Sequence, residues 1–370
     1  MSAKNTLGII FSNAYDEVVP ELTAFRTMGS VPFAGRYRLI DFPLSNLVNA
    51  GVPQVGIVTN SNYRSLMDHI GTGRPWDLSR KRDGMTLLPP FSLPETGMFK
   101  GKADALYASI NYISSSNKDY VLLTDCNVIC NVDYQALFAK HAETNADVTI
   151  AYANGQPPRI ANATELIIDE NGRITDDVLI DCYSSNVNYS LKIMYMRRTL
   201  LERLLHEAHN ARTDDFETII KNNIKHLNIC GYEVKGFVRT LESLQSYYDI
   251  NLELLKVENR KALFVGERPV YTKVRDQVPT FYGMQSKVSN SLIADGCKIE
   301  GEVENCILFR GVTVAKGAKI KNSIIMQGTY VGENASLDCV ITDKSVVVKP
   351  NKTLCGASNY PIYVGKEIVI

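Results

Sequence analysis

Residues 311–347 read GVTVAKGAKIKNSIIMQGTYVGENASLDCVITDKSVV. Within them a small or polar residue is followed by an apolar one at a fixed interval. Gly311-Val312, Gly317-Ala318, Ser323-Ile324 and Thr329-Tyr330 recur at steps of six, and the phase then slips by one to Asn334-Ala335, Val340-Ile341 and Val346-Val347. A six-residue period is the signature of a solenoid whose triangular coils stack apolar residues inward. The pattern predicts a parallel β-helix of hexapeptide repeats over residues 284–370. A connector with Pro269 and Pro279 precedes it, over 260–283. Many such solenoids are acyltransferases with a His as general base. Residues 284–370 contain no His, which leaves packing, assembly or effector binding as the work of this part.

Upstream, over 1–259, the character is different. Continuous apolar runs at 6–11, 54–60, 120–125, 147–153, 191–196 and 233–239 read as strands covered on both faces. Helix-like stretches lie between them, at 61–70, 103–113, 134–143, 200–208 and 214–225, and a last helix is expected over 241–259. The alternation predicts an α/β domain with a mostly parallel, Rossmann-like sheet. Such sheets bind ligands beyond the carboxyl ends of their strands.

Composition narrows the function classes. The 370 residues are 45% hydrophobic and 22% charged, as in ordinary globular proteins, so disorder is excluded as the main state. Forty basic and forty acidic residues give zero net charge, against a nucleic-acid partner. No apolar run is long enough to span a bilayer, and the N-terminus does not read as a secretory signal. A cytoplasmic chain without a membrane partner is expected. Its eight Cys form no CxxC pair and read as reduced, mostly buried thiols.

The segment VPFAGRYRLIDFPLSNLVNAGV (31–52) resembles the N-terminal block of the glucose-1-phosphate adenylyltransferase (ADP-glucose pyrophosphorylase) family. The resemblance continues in GKADAL (101–106), like the family's G-T-A-D-A, in NVDY (131–134), and in LQSYYDINLELL (244–255). It implies a nucleotidyltransferase-like domain joined to a left-handed β-helix, assembly as tetramers, and the reaction of ATP with glucose 1-phosphate to ADP-glucose and pyrophosphate. That step needs a phosphate cradle, cations and a carboxylate-held Mg²⁺.

Against this pattern several functional positions depart together. The glycine-rich cradle after strand one becomes FSNAYDEVVPEL (11–22), which has no Gly and carries Asp16 and Glu17; the family's Arg falls on Val18. The basic motif becomes FRTMGSV (25–31), with Met28 for the catalytic Lys and Arg26 retained. The two metal carboxylates align with Asn127 and Thr240, with Asp125 as a fallback ligand if the register slips. The family's F-V-E-K-P Lys is not found in the acidic stretch 175–186. Gly101, Ala103 and Asp104 keep the pattern that approaches the nucleotide, although a turn glycine and a helix-start Asp explain them equally. Arg26, Arg36 and Arg38 suit an anionic effector, and structural arginines near Asp41 are the alternative.

Losing even two charge-stabilising contacts, each of about 2.7–4 kcal/mol, slows such a reaction by thousands. The resemblance therefore implies a GlgD-type, regulatory and non-catalytic subunit. It would hold no cofactor of its own, and its partner would be a catalytic GlgC-type subunit in a heterotetramer, where Mg²⁺ is expected. A sugar-phosphate or nucleotide effector is a possible ligand. An active sugar-nucleotide pyrophosphorylase with rearranged metal ligands, and a non-enzymatic sensor or interaction protein, are the alternatives.

Overall fold

The computed structural model describes residues 3–90, 98–180 and 186–370. Residues 181–185, part of the stretch searched for the sugar-phosphate Lys, lie outside them. The first runs become β1 (Thr6–Phe11), β2 (Gln54–Val58), β3 (Gly84–Leu88) and β4 (Tyr120–Asp125). They pair in parallel in the order β4-β1-β2-β3. β1 and β4 are buried end to end, as their unbroken apolar sequences require. After the short β5 (Val128–Cys130) come β6 (Val148–Gly155), β7 (Thr164–Ile168), β8 (Ile174–Leu179) and β9 (Val187–Arg197). β9 enters antiparallel to β4 and β6, and β7 and β8 extend that edge. β10 (Ile229–Glu233) returns parallel to β6.

Helices cover both faces. On one side α1 (Asp41–Asn49), α2 (Arg64–Ile70) and α5 (Tyr134–Glu143) share a buried cluster with Ile10, Ile57 and Leu122. On the other, α3 (Lys102–Ala108), α4 (Ile110–Ser115), α6 (Arg198–Ala211) and α7 (Phe216–Asn222) pack on Leu7, Ile9 and Val121. The stretch 103–113 is thus two helices, broken at Ser109. The stretch 233–239 is not one strand. Gly236 turns the chain at φ 98°, and β11 (Val238–Thr240) pairs antiparallel with β5 instead. Trp76 belongs to the short turn Arg74–Trp76 that follows α2. It is buried and meets His69 edge to face.

The last helical stretch also divides. Ser243 starts α8 (Leu244–Glu253) with a capping box closed by Ser246, and α9 (Val257–Leu263) follows separately, running past residue 259. α8 is the brace of the molecule. Tyr247 Oη donates to Pro32 O (2.7 Å), Tyr248 Oη donates to Asn322 O (2.6 Å), and Asn251 Oδ1 accepts from Ala34 N (3.0 Å).

From Phe281 the chain winds into three five-stranded parallel sheets, the left-handed β-helix that the repeats predict. Its period differs from the sequence reading. Thr313 pairs with Tyr330 and Tyr330 with Val347, so a coil here takes seventeen residues, not eighteen. The slip is therefore not a single event. A five-residue step recurs once per coil, at a corner held by Asn305, Asn322 and Cys339, with φ of 54°, 45° and 52°. Asn tolerates this left-handed conformation. Its amides also stack: Asn290 Nδ2 donates to Asn305 Oδ1 (2.7 Å), Asn305 Nδ2 to Asn322 Oδ1 (3.3 Å), and Asn322 Nδ2 to Asp338 Oδ1 (2.9 Å). Tyr330 consequently points outward, and Val331 fills the interior.

One sheet of the solenoid faces the α/β domain. Ile307, Ile324 and Ile341 lie in one buried cluster with Val19, Leu22, Met28, Phe33, Phe42 and Leu254. The two halves share a core.

Candidate functional site

A cleft of about 600 Å³ opens at the carboxyl ends of β1 and β2, where parallel sheets place their ligands. The loop 12–18 forms one wall, and residues 58–61, 99–102, 160–162 and the start of α7 form the rest. Three of its carboxylates, Asp16, Asp215 and Glu217, are already held by groups of the chain. Asp16 turns inward and accepts from Met28 N (2.7 Å) and from Asn13 Nδ2 (2.5 Å). Its carboxylate takes a backbone N–H and a side-chain amide of the kind a phosphate cradle would offer to ligand. Burial pushes its pKa up to about 6, against these hydrogen bonds.

Opposite, Lys102 is the first residue of α3. Its Nζ lies 2.7 Å from Asp125 Oδ2 and 2.6 Å from Glu217 Oε1. The faces of Phe11 and Tyr15 lie 5.5 and 5.4 Å from it. Burial alone would lower the Lys102 pKa; Asp125 and Glu217 outweigh it and hold the ammonium well above its usual value. Burial likewise opposes ionisation of Glu217, but Lys102 and then Lys192 keep it below the usual carboxylate range. Asp125 Oδ1 is buried without a hydrogen-bond partner.

The other expected residues are distributed as follows. Val18 lines the cleft and Met28 is core. Asn127 and Thr240 are brought together: Thr240 stands opposite Val128, and Leu241 N donates to Asn127 O (2.8 Å). Of Gly101, Ala103 and Asp104, only Gly101 lines the cleft. A Cβ there would meet Asp214 O at 2.2 Å, so close backbone packing by itself requires this Gly. Ala103 N donates to the same oxygen (3.0 Å), and Asp104 Oδ2 accepts from Lys100 N (3.1 Å).

A second, smaller pocket lies between the halves, lined by Arg36, Arg38, Arg275, Arg310, Lys344 and His69. Among the described residues no carboxylate lines it. Arg38 donates to Ser65 O (2.6 Å) and Ser65 Oγ (3.0 Å) and is not ion-paired with Asp41, whose Oδ1 lies 2.6 Å from His69 Nε2. Arg310 Nε is buried and unpartnered. Burial, then Arg38 and Arg26, lower the Lys344 pKa to about 7. Arg26, expected in such a site, is elsewhere. Its Nη2 donates to both oxygens of Asp343 (2.8 and 2.7 Å) in a pair that is almost wholly buried. Tyr363 Oη completes it, 3.0 Å from Asp343 Oδ2.

Comparison with known proteins agrees with the geometry. A nucleotidyl transferase family model matches residues 19–160, and a GlmU-like C-terminal hexapeptide model matches 277–359. The glycogen biosynthesis protein GlgD of Bacillus subtilis is 37% identical over 98% of this chain and 96% of its own length. GlgD of Geobacillus stearothermophilus is 37% identical over 85% of this chain and 82% of its own. A glucose-1-phosphate adenylyltransferase of Clostridium perfringens is 30% identical over 100% and 97%. The chain belongs to the glucose-1-phosphate adenylyltransferase family, among its GlgD proteins.

Against that family's Mg²⁺ the residues do not fit. Neither adjacent position, Asn127 or Thr240, carries a carboxylate, and the fallback Asp125 is taken by Lys102. Among the described residues no three His, Cys, Asp or Glu side chains are grouped to hold a metal ion. Sequence reasoning missed Lys102 and Glu217. The signal was present in GKADAL, where Lys102 stands at the Thr of the family's G-T-A-D-A. The pocket residues Arg275, Arg310 and Lys344 were also missed, because they approach Arg36 and Arg38 only through the fold. No helix among the described residues is long and apolar enough to cross a membrane.

Proposed function

We propose that this chain is a regulatory, catalytically silent subunit of glucose-1-phosphate adenylyltransferase in glycogen biosynthesis. It acts in the cytoplasm beside a catalytic GlgC-type partner, in a heterotetramer. The observation that carries the reading is the pair Asn127 and Thr240. The fold keeps them side by side, and both lack the charge that metal-assisted phosphoryl transfer requires. The acidic, glycine-free loop 12–18 supports it, since Glu17 lines the cleft a triphosphate would enter and Asp16 beside it occupies donors of the chain. Mg²⁺ and ATP turnover belong to the partner.

Regulation fits the basic pocket. An anionic effector, a sugar phosphate or nucleotide, binds Arg36, Arg38, Arg275, Arg310 and Lys344, and Arg26 serves as structure. An effector that favours one state of this subunit shifts the partner by linkage.

The test is pyrophosphate release from ATP and glucose 1-phosphate with Mg²⁺. It is run on this chain alone, on the catalytic partner alone, and on the mixture with and without sugar phosphates. The expected result is no turnover by this chain and a changed rate or effector response in the mixture. Turnover by the chain alone would overturn the reading in favour of rearranged metal ligands. A mixture that equals the partner alone, with no co-elution, would favour an interaction protein of another kind.

A further inference from the structure

We propose that Lys102 is the resident cation of the cleft. Its ammonium does for Asp125 and Glu217 what a bound divalent ion would do, so the chain takes no metal at the strand ends and needs none to fold. The argument is one of charge balance between three elements. Asp125 closes β4, Glu217 belongs to the first turn of α7, and Lys102 opens α3. Both carboxylates are largely removed from water, at 1% and 12% side-chain exposure. Two such anions, left to themselves, would repel across a low-dielectric gap. Such a pair is relieved either by a proton on one carboxylate or by a cation between them, an ion from solvent or a group of the chain.

The geometry points to the chain. The ammonium reaches one oxygen of each carboxylate at 2.7 and 2.6 Å, and two aromatic faces flank it. Ammonium and divalent ion compete for the same oxygens, and a hard ion such as Mg²⁺ or Mn²⁺ commonly uses one or two carboxylates plus waters. The unpartnered Asp125 Oδ1 is the remaining lone-pair face such an ion would use once the ammonium is gone. The substitution thus runs both ways: Lys102 excludes the metal, and its removal opens a seat for one. The inference concerns the charges of this chain alone and is read without any turnover assay, so it stands or falls separately from the regulatory reading.

The test compares thermal unfolding and Mn²⁺ binding, read by electron paramagnetic resonance, for three full-length chains. These are the wild type, Lys102→Met, and the triple variant Lys102→Met/Asp125→Asn/Glu217→Gln. The wild-type Tm should move with neither excess Mn²⁺ nor a chelator, and no Mn²⁺ should bind at the cleft. Lys102→Met should lose about 5–10 °C and recover part of it in Mn²⁺. The triple variant, with the charges removed together, should recover without metal and bind none. Three outcomes would overturn the proposal. One is wild-type Mn²⁺ binding that the triple variant abolishes. Another is a Lys102→Met chain that is unaltered in stability and blind to Mn²⁺. The third is a triple variant as unstable as Lys102→Met, which would assign the role to packing of the Lys stem on Phe11 and Tyr15. Should Lys102→Met fail to fold, the triple variant still decides between charge and packing.

Discussion

Two pockets of this molecule are built from opposite charges, and they differ in what they leave unfinished. The cleft at the strand ends is rich in carboxylates, yet Asp16 is capped by backbone and amide donors, and Asp125 and Glu217 are held by Lys102. The pocket between the halves gathers four arginines and a lysine with no lining carboxylate among the described residues, and Arg310 Nε finds no partner. A site whose groups satisfy one another has little binding energy to offer. A site of unmatched cations gains by taking an anion. In the proposed function the cleft serves as structure and the pocket between the halves takes the ligand.

Arg26 gives the sharpest way to break this contrast, because the fold pairs it with Asp343 and keeps it out of the lining of the basic pocket. Arg26→Met leaves Asp343 buried and unpaired, which should cost about 3–5 kcal/mol of stability in chemical denaturation. If the chain instead keeps its stability and loses anion binding, Arg26 belongs with the basic pocket and the division drawn here fails.

The next effect concerns Lys344. With a pKa of about 7 it is charged below neutrality and largely uncharged by pH 8. An anion in the pocket raises that pKa, so binding takes up a proton, and affinity falls as pH rises through 7. Sulfate, whose own charge is fixed in this range, should bind roughly tenfold more weakly at pH 8 than at pH 6 by titration calorimetry, the worth of one charge-assisted contact. Lys344→Met should flatten the profile. A profile equally steep in Lys344→Met would assign the proton to His69.

The smallest effect is in the acidic cleft. The folded-state pKa of Asp16 is raised, so the native chain holds this proton more tightly than the unfolded one. Stability is lost as pH rises from about 4 through 6. Asp16→Asn keeps an acceptor for Met28 N and removes the charge. It should gain about 1 kcal/mol at pH 8 and nothing at pH 4. A loss at pH 8 would mean that the negative charge itself holds the loop.

The sequence revealed the architecture better than the sites, for a physical reason. Inward positions of a solenoid repeat along the chain, so 311–347 could be read locally. Its true seventeen-residue coil was blurred because Tyr330 is apolar and yet faces outward. Asn127 and Thr240 were legible through their motifs, and β11 does bring them together. Arg26 was misplaced because its partner Asp343 is 317 residues away. Lys102 was passed over because its partners lie 23 and 115 residues away. Apolar residues alone made 233–239 resemble a strand, and the turn at Gly236 decided otherwise.

The asparagine corner also governs how such a chain can change length. Every coil must return to the same three corners, so a residue lost inside a strand would turn the later strands inside out, whereas a corner can shorten, as in the turn that pairs Leu292 with Ile307 fifteen residues on. A surplus can be carried only where the chain already leaves the stack. That is seen once: Ile341 pairs with Tyr363, twenty-two residues on, and the excess folds out near the Ala357–Tyr360 bridge. Changes of length in this half of the molecule are therefore confined to corners and to whole turns. Insertions and deletions that survive should come as complete coils or as corner loops, and the α/β half, with ordinary surface connections, is under no such rule.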